Sequence, residues 1–487
     1  MTTSDDTAAL AETRRRFSSR LSPPRTPPLS MLIHLAVLAL WVALFLLVFG
    51  RGGILAWSVG LAYLSYDAAL LVFTGWHIRR FVTPPGHASP GPPPSVAVLI
   101  AAHNEAAVLP ATLRALAAQS APPDEVVIAD DGSTDATAEV LCAEFGFTAG
   151  GAGVPGPPVR VGSMAVTWIR LAHGGKARAL NAAILQTEAE VMLTVDADTL
   201  LDHEAIREVR DAFAREPDLV GVTGIITPES RRTPVGRTMQ FFQTYEYIRN
   251  FLGRYAWMRV DCLQLISGAF AGFRRTAVVD VGGFDDVCLV EDYELVHRLY
   301  RYAGEHDLPW RFRVLGAAQA RTEAPGSVRA LLRQRRRWFG GFLQTQWWYR
   351  AMVGSPRMGA VGTLMLPIKA IDAVQPLYGL TAFVLLIYFI VTGNTDVLAP
   401  VAVVLGGTLL INLVFQLWSV AQYRRWVGDR NRVSLVGAGV ASVVEPFTFR
   451  LLLQLGALLG WIAFLGAGQR WGRIDRFGLD DSPAGRA

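Results

Sequence analysis

Two carboxylates one residue apart repel each other, and a strand that ends in such a pair needs something positive beside it. Residues 191–202 read VMLTVDADTLLD, an apolar run that stops at Asp196 and Asp198. In an extended backbone these two side chains lie on the same side. Their oxygens suit Mg2+ or Mn2+, ions typically held by one or two carboxylates together with substrate phosphates. The competing readings are a solvated strand end and a cap for the segment that starts near Thr199.

Other chemistry-bearing residues also fall where apolar runs end. Asp130 and Asp131 close the run 125–129 and lead into Gly132-Ser133-Thr134-Asp135. Paired carboxylates there suit a base or ribose, whereas Ser, Thr and Asp before a helix are ordinary capping residues. Asn104 and Glu105 follow the run 96–102, placed either to hydrogen-bond a polar ligand or to cap the next helix. In 174–181, GGKARALN, the glycines let backbone approach a phosphate and Lys176 is a compact cation for it. The spacing is not that of a Walker loop. Only Lys176 and Lys369 among the 46 basic side chains are lysine, which marks them as places where arginine would not serve. Glu291 and Asp292 open a helical pattern, as a cap or dipole partner or as a general base. Gln334, Arg337 and Trp338 lie in an arginine-rich run that reads as a basic collar at a membrane surface, with Arg337 and Trp338 alternatively meeting a phosphate and a sugar face.

The elements that must position these residues follow from patterning. Short apolar strands alternate with helical segments from about 96 to 320, which predicts a mostly parallel α/β sheet with helices on both faces and ligands at the carboxyl ends of its strands. Residues 1–30, polar and proline-rich, are predicted to be a disordered tail. Residues 31–81 form two apolar runs around Arg51-Gly52-Gly53, long enough for a transmembrane helical hairpin. Residues 82–95 are a proline-rich linker, 96–345 the soluble domain, and 346–372 interfacial helices. Residues 373–470 return to apolar spans, with 433–467 either an interfacial segment plus a span or a hairpin, and 471–487 form a cytoplasmic tail. Arginines before the first run, together with Arg79 and Arg80 after the second, place both flanks in the cytoplasm by the positive-inside rule. Arg470, Arg473 and Arg476 favour a cytoplasmic end. Asp67, Asp372 and Gln375 fall at or near membrane depth, where such groups face a cavity or bond a neighbouring helix. The three cysteines lack paired or metal-type spacing, which fits a reducing compartment and argues against zinc or a disulfide scaffold. The net charge of +5 is better explained by membrane anchoring than by nucleic acid, since the basic residues cluster beside apolar runs.

In this order and spacing, the motifs of residues 95–345 resemble the family-2 glycosyltransferases with a GT-A fold. They resemble in particular the membrane-embedded processive synthases of cellulose, chitin, hyaluronan and poly-N-acetylglucosamine. The resemblance implies that Asn104, Glu105, Asp130, Asp131, Lys176 and Asn181 bind a nucleotide sugar, a UDP-sugar by expectation. It implies that Asp196 and Asp198 hold Mg2+ or Mn2+ with the diphosphate, and that Asp292 is the catalytic base. Gln334, Arg337 and Trp338 touch the nucleotide and acceptor site, and Ser267, Gly268, Phe270 and Glu291 shape the acceptor pocket. Two positions depart from the family pattern: Ala101 stands for a proline and Val290 for a threonine, and the latter change touches the acceptor pocket. The activity so implied is inverting transfer that elongates a β-linked polysaccharide and carries it across a bacterial plasma membrane, with the lipid bilayer and a glycan or lipid acceptor as partners. The alternatives are single transfer to a lipid and a nucleotide-binding transporter without turnover. Partner subunits are not indicated by any motif.

Overall fold

The computed structural model describes residues 3–81, 92–428 and 433–466. Nine strands make one sheet: β1 (Val96–Ala102), β2 (Glu125–Asp130), β3 (Val159–Val161), β4 (Met164–Arg170), β5 (Val191–Val195), β6 (Thr199–Leu201), β7 (Leu219–Glu229), β8 (Phe270–Arg274) and β9 (Arg311–Glu323). Their order is β3-β4-β2-β1-β5-β8-β7-β9-β6. The central strands β1 and β5 are buried almost throughout, as continuous apolar strands are when helices cover both faces of a sheet.

From β4 through β2 and β1 to β5 the strands run parallel, joined by crossover helices including Leu109–Ala117, Thr137–Phe145 and Lys176–Ile184. Parallel strands present their carboxyl ends at one edge, so the loops after β1, β2, β4 and β5 gather there. Parallel pairing returns between β7 and β9 in the other half, but it is not continuous. β8 enters antiparallel between β5 and β7, and β6 pairs antiparallel with β9, so the sheet is mixed. The antiparallel strand has a consequence for the site. Val195 pairs with Phe270, so the turn that precedes β8 lies beside the carboxyl end of β5.

The amino-terminal residues are not the disordered tail that composition suggests. Thr3–Phe17 is a helix that contacts the later helix Glu291–Glu305, and Leu10, Ser18 and Ser19 are buried. The interfacial segment expected over 346–372 is also shorter than that. Short helical turns fill 350–365, and the long helix Leu366–Val391 has already begun at Lys369 and Asp372.

Among the described residues, four helices are long and apolar enough to cross a membrane: Pro28–Gly50, Gly53–Ile78, Val361–Val391 and Thr395–Val427. Leu435–Phe447 and Phe449–Leu465 form a further pair bent by 49°, a broken span or a re-entrant loop, and the break falls at Thr448. The expected linker at 82–91, the tail at 471–487 and Arg470, Arg473 and Arg476 lie outside the described residues.

Candidate active site

The loops after β1 and β2 are tied together by their own motif residues. Asn104 adopts a positive φ of 61°, and its Oδ1 accepts hydrogen bonds from the backbone N–H of Thr134 (2.8 Å) and Asp135 (3.1 Å). The Glu105 N–H donates to Thr137 Oγ1, and the Glu105 side chain is buried. Asp130 Oδ1 accepts from the Ser133 N–H at 2.8 Å. Asp131 reaches the third loop: its carboxylate accepts from the N–H of Gly174 (2.7 Å) and Gly175 (2.9 Å), immediately before Lys176. Both aspartates are buried and tie these loops together through backbone contacts.

At the centre of the edge, three loops meet around Gly268. Lys176 Nζ donates to Asp196 Oδ1 at 2.5 Å and lies 3.5 Å from Glu291 Oε1. The Gly268 N–H donates to Asp292 Oδ2 at 2.6 Å, and the Tyr293 N–H donates to Asp292 Oδ1 at 2.8 Å. A Cβ at residue 268 would lie 3.1 Å from Asp292 Oδ2 and 3.3 Å from Lys176 Nζ, so the glycine lets both charged groups close in. Burial alone would lower the Lys176 pKa, but Asp196, Glu291 and Asp292 together hold it above the ordinary lysine range. Burial pushes the Glu291 carboxyl up, and Lys176 opposes that shift.

The arginine-rich run is the helix Val328–Trp348. Arg337 Nη1 donates to the Leu289 carbonyl just ahead of Glu291 and Asp292. Trp338 packs against the cluster of Cys288, Val290 and Tyr293. Gln334 Oε1 is buried without a hydrogen-bond partner among the described residues. Arg335 departs from the basic-collar reading: it is buried and paired with Glu246 at 2.7 Å.

Asp196 and Asp198 fit an oxygen-seeking divalent cation. Asp198 is buried with its Oδ1 at hydrogen-bond distance from the Thr322 hydroxyl, and Asp196 already attracts the Lys176 ammonium. A second set of ligand-type atoms gathers at Asp131, where those of His103, Asp131 and His173 lie within 4.8 Å of one another and could hold a metal ion. The Nδ1 atoms of both histidines also face the Asp131 carbonyl oxygen, at 2.8 and 3.1 Å, and the two rings lie 4.4 Å apart with 30° between their planes.

Comparison with known proteins decides the class of this site. Residues 97–282 match the model described as "Glycosyl transferase family 2", and residues 191–415 match "Glycosyl transferase family group 2". The chain carries a family-2 glycosyltransferase domain. Curated relatives include the poly-beta-1,6-N-acetyl-D-glucosamine synthases of Staphylococcus epidermidis and Staphylococcus aureus, each 27% identical over 248 residues, which is 50% of this chain and 54% of theirs. The chain thus spans about half the length of the curated relatives it matches. Among solved structures, a mannosyltransferase of Pyrobaculum calidifontis in complex with GDP-Man and Mn2+ superposes with a TM-score of 0.54 at 19% identity, covering 80% of this chain and 99% of that one. That likeness is one of fold.

Within the glycosyltransferase domain, two expected site residues do other work. Asn181 clasps the backbone of Phe284, donating from Nδ2 to its carbonyl (2.8 Å) and accepting its N–H on Oδ1 (2.7 Å), so its amide is committed to structure. Phe270 is fully buried in the core, where its ring lies against Gly224. Ser267 stays at the edge, its N–H directed at Thr223 Oγ1. Arg254 was not evident from sequence. It sits on the helix Pro234–Met258 two turns after Tyr247, with its guanidinium 4.6 Å above the Phe251 ring and two buried nitrogens lacking partners among the described residues. Burial lowers its pKa to about 10, and Asp292 and Tyr247 are the groups that hold it up. Its position in an aromatic stretch is no distinguishing signal, since Arg249 shares that stretch.

Proposed function

We propose that the protein is an inverting glycosyltransferase that uses a nucleotide-diphosphate sugar, a UDP-sugar by preference, to elongate a β-linked polysaccharide at a bacterial plasma membrane and pass it across. The observation that carries this reading is the convergence at Gly268, which sets a partly buried lysine on Asp196 of the Asp-x-Asp pair at one side and an oriented carboxylate at the other. The relatives' names support a hexosamine polymer, and the apolar helices support a membrane setting.

In this reading the nucleoside lies over the floor made by Asn104, Glu105, Asp130 and Asp131. Lys176 draws in the diphosphate. A divalent cation held by Asp196 and Asp198 would neutralise charge on the leaving diphosphate. Asp292, its two oxygens oriented by the amides of Gly268 and Tyr293, accepts the proton of an acceptor hydroxyl. As that oxygen bonds to the anomeric carbon, the bond to the diphosphate breaks on the opposite face, so an α-linked donor yields a β-linked product. Trp338 and Arg337 flank the acceptor.

The test is product formation by detergent-purified protein given UDP-N-acetylglucosamine, UDP-glucose, UDP-glucuronate or GDP-mannose with Mg2+ or Mn2+. A long polymer from one donor is expected. A monoglycosylated lipid alone would replace the polymer reading with single transfer, and donor binding without turnover would replace both with a nucleotide-binding transporter.

A further inference from the structure

The ten residues 281–290 that deliver Glu291 and Asp292 to the site form no helix or strand. Such a loop keeps a fixed path only if other parts of the chain hold it. Its two ends are held by Arg298 at Val281 and by Arg337 and Gln344 at Leu289, and its middle by Asn181 at Phe284 and by the amino terminus. Arg20 grips the buried carboxylate of Asp285 with two parallel bonds, Nε to Oδ2 at 2.9 Å and Nη2 to Oδ1 at 3.0 Å. That is the strongest geometry an arginine offers a carboxylate. Asp285 Oδ1 in turn accepts the Val287 N–H at 2.9 Å, inside the loop. Arg14 Nη1 donates to the Phe284 carbonyl, the group that Asn181 holds from the other side.

The loop is also shaped to receive this segment. Gly282 and Gly283 have φ of 88° and 70°, values that residues with a Cβ rarely adopt. A Cβ at 282 would lie 2.1 Å from the Arg14 nitrogen, and one at 283 would lie 3.0 Å from Leu10 Cδ2. Beyond the loop, the segment is fastened to the helix Glu291–Glu305 itself. Arg301 Nη1 donates to the Phe17 carbonyl and to Ser19 Oγ, both at 3.1 Å, and the Phe17 ring meets Tyr302 edge-on at 4.9 Å.

We infer that residues 10–20 are a strap that belongs to the catalytic machinery, with Arg20 the positioning residue that sets, through Asp285, the path of the loop carrying Glu291 and Asp292. The matched family regions begin at residue 97, so the strap lies outside them. Its catalytic consequence rests on the reading of Asp292 as the base, whereas its structural consequence does not.

The chain contains its own reporter. Cys288 is buried within the loop, Cys262 is buried outside it, and Cys142 is exposed. The experiment compares maleimide labelling of the three cysteines in full-length wild type, Arg20→Ala, Arg20→Lys and Asp285→Asn, together with kcat and KM for the donor that wild type turns over. Arg20→Ala should speed labelling of Cys288 by about tenfold or more while Cys262 stays protected, and Arg20→Lys should fall between it and wild type. In Arg20→Ala kcat should drop by roughly 10- to 100-fold, the scale of an ångström-level misplacement, with donor KM within about twofold of wild type. Cys288 as protected in Arg20→Ala as in wild type would overturn the inference, and so would an equal rise at Cys262, which reports general loosening. Should Arg20→Ala yield no folded protein, Asp285→Asn carries the same expectation and the same two contrary results. Absence of turnover in wild type would sink the glycosyltransferase reading while the labelling still decides the strap.

Discussion

Lys176 has little room and three carboxylates around it. A guanidinium is broader and carries its charge farther from the chain, and the space beside Gly268 admits only a compact cation. Lys176→Arg should therefore fail despite keeping the charge, weakening donor binding by about tenfold or more in titration calorimetry, with Lys176→Met weaker still. The pKa of Lys176 is raised in the folded protein, so its ion pairs are fully formed below the ordinary lysine value and are lost only as pH climbs through the raised one. Donor affinity should accordingly show no loss from this group between about pH 7 and pH 9. At this scale the sequence is informative wherever a residue type at a strand end implies chemistry, as at Lys176, Asp196 and Asp292. It is uninformative about direction. Phe270 and Asn181 stand within or beside the right motifs, but a buried ring and a doubly committed amide become visible only when the neighbouring backbone is in place.

The helix Glu291–Glu305 gives Asp292 a rigid base because polar groups on its inner face pair with their neighbours. Arg298 and Glu294 are both buried and paired at 2.7 Å, and the Tyr349 hydroxyl donates to Glu294 at 2.6 Å. His297 is buried with Nδ1 facing the Tyr293 carbonyl and Nε2 against Gln264. Burial lowers its pKa from 6.5 to about 4. The unfolded chain takes up this proton first, so stability is lost as pH falls from about 6.5 toward 4, by on the order of 3 kcal/mol from this group. His297→Gln should flatten that part of the curve of thermal midpoint against pH, and an unchanged acid slope would contradict the assignment. The periodicity of this helix is plain in the sequence. The amino-terminal helix is different: its residues are polar and its partner surface lies about 270 positions away, so composition alone reads it as a tail.

At the scale of the whole molecule, the apolar helices and the glycosyltransferase domain are joined by partly buried charges around the buried Glu445. Arg450 pairs with Asp67 at 2.6 Å and approaches Glu445 at 3.6 Å, and Glu445 pairs at 2.6 Å with Arg249 of the long helix that also bears Arg254. These residues line a cavity of about 120 Å³ at the bend of the last helix pair. Removing one member strands its partners, so Arg450→Met should lower the thermal midpoint in detergent by about 5 °C or more. The polar positions Asp67, Asp372 and Gln375 were legible as polar groups in or near apolar runs, and Lys369 meets Asp372 one turn away on the same helix, but Arg450 reaches Asp67 and Tyr66 reaches Asp372 from other helices. Orientation has a direct readout in Cys142, which is exposed on the soluble domain. An impermeant maleimide should leave it unlabelled in right-side-out vesicles and label it in inverted ones, and the opposite pattern would overturn the cytoplasmic placement.

The most direct test of the central claim is Asp292→Asn. Asparagine keeps an oxygen for the Gly268 or Tyr293 amide but cannot take the acceptor's proton. Turnover should fall by about 1000-fold, within the range a positioned base supplies, while the donor dissociation constant stays within about threefold. Turnover within tenfold of wild type would show that Asp292 is not the base and that the site works by other chemistry.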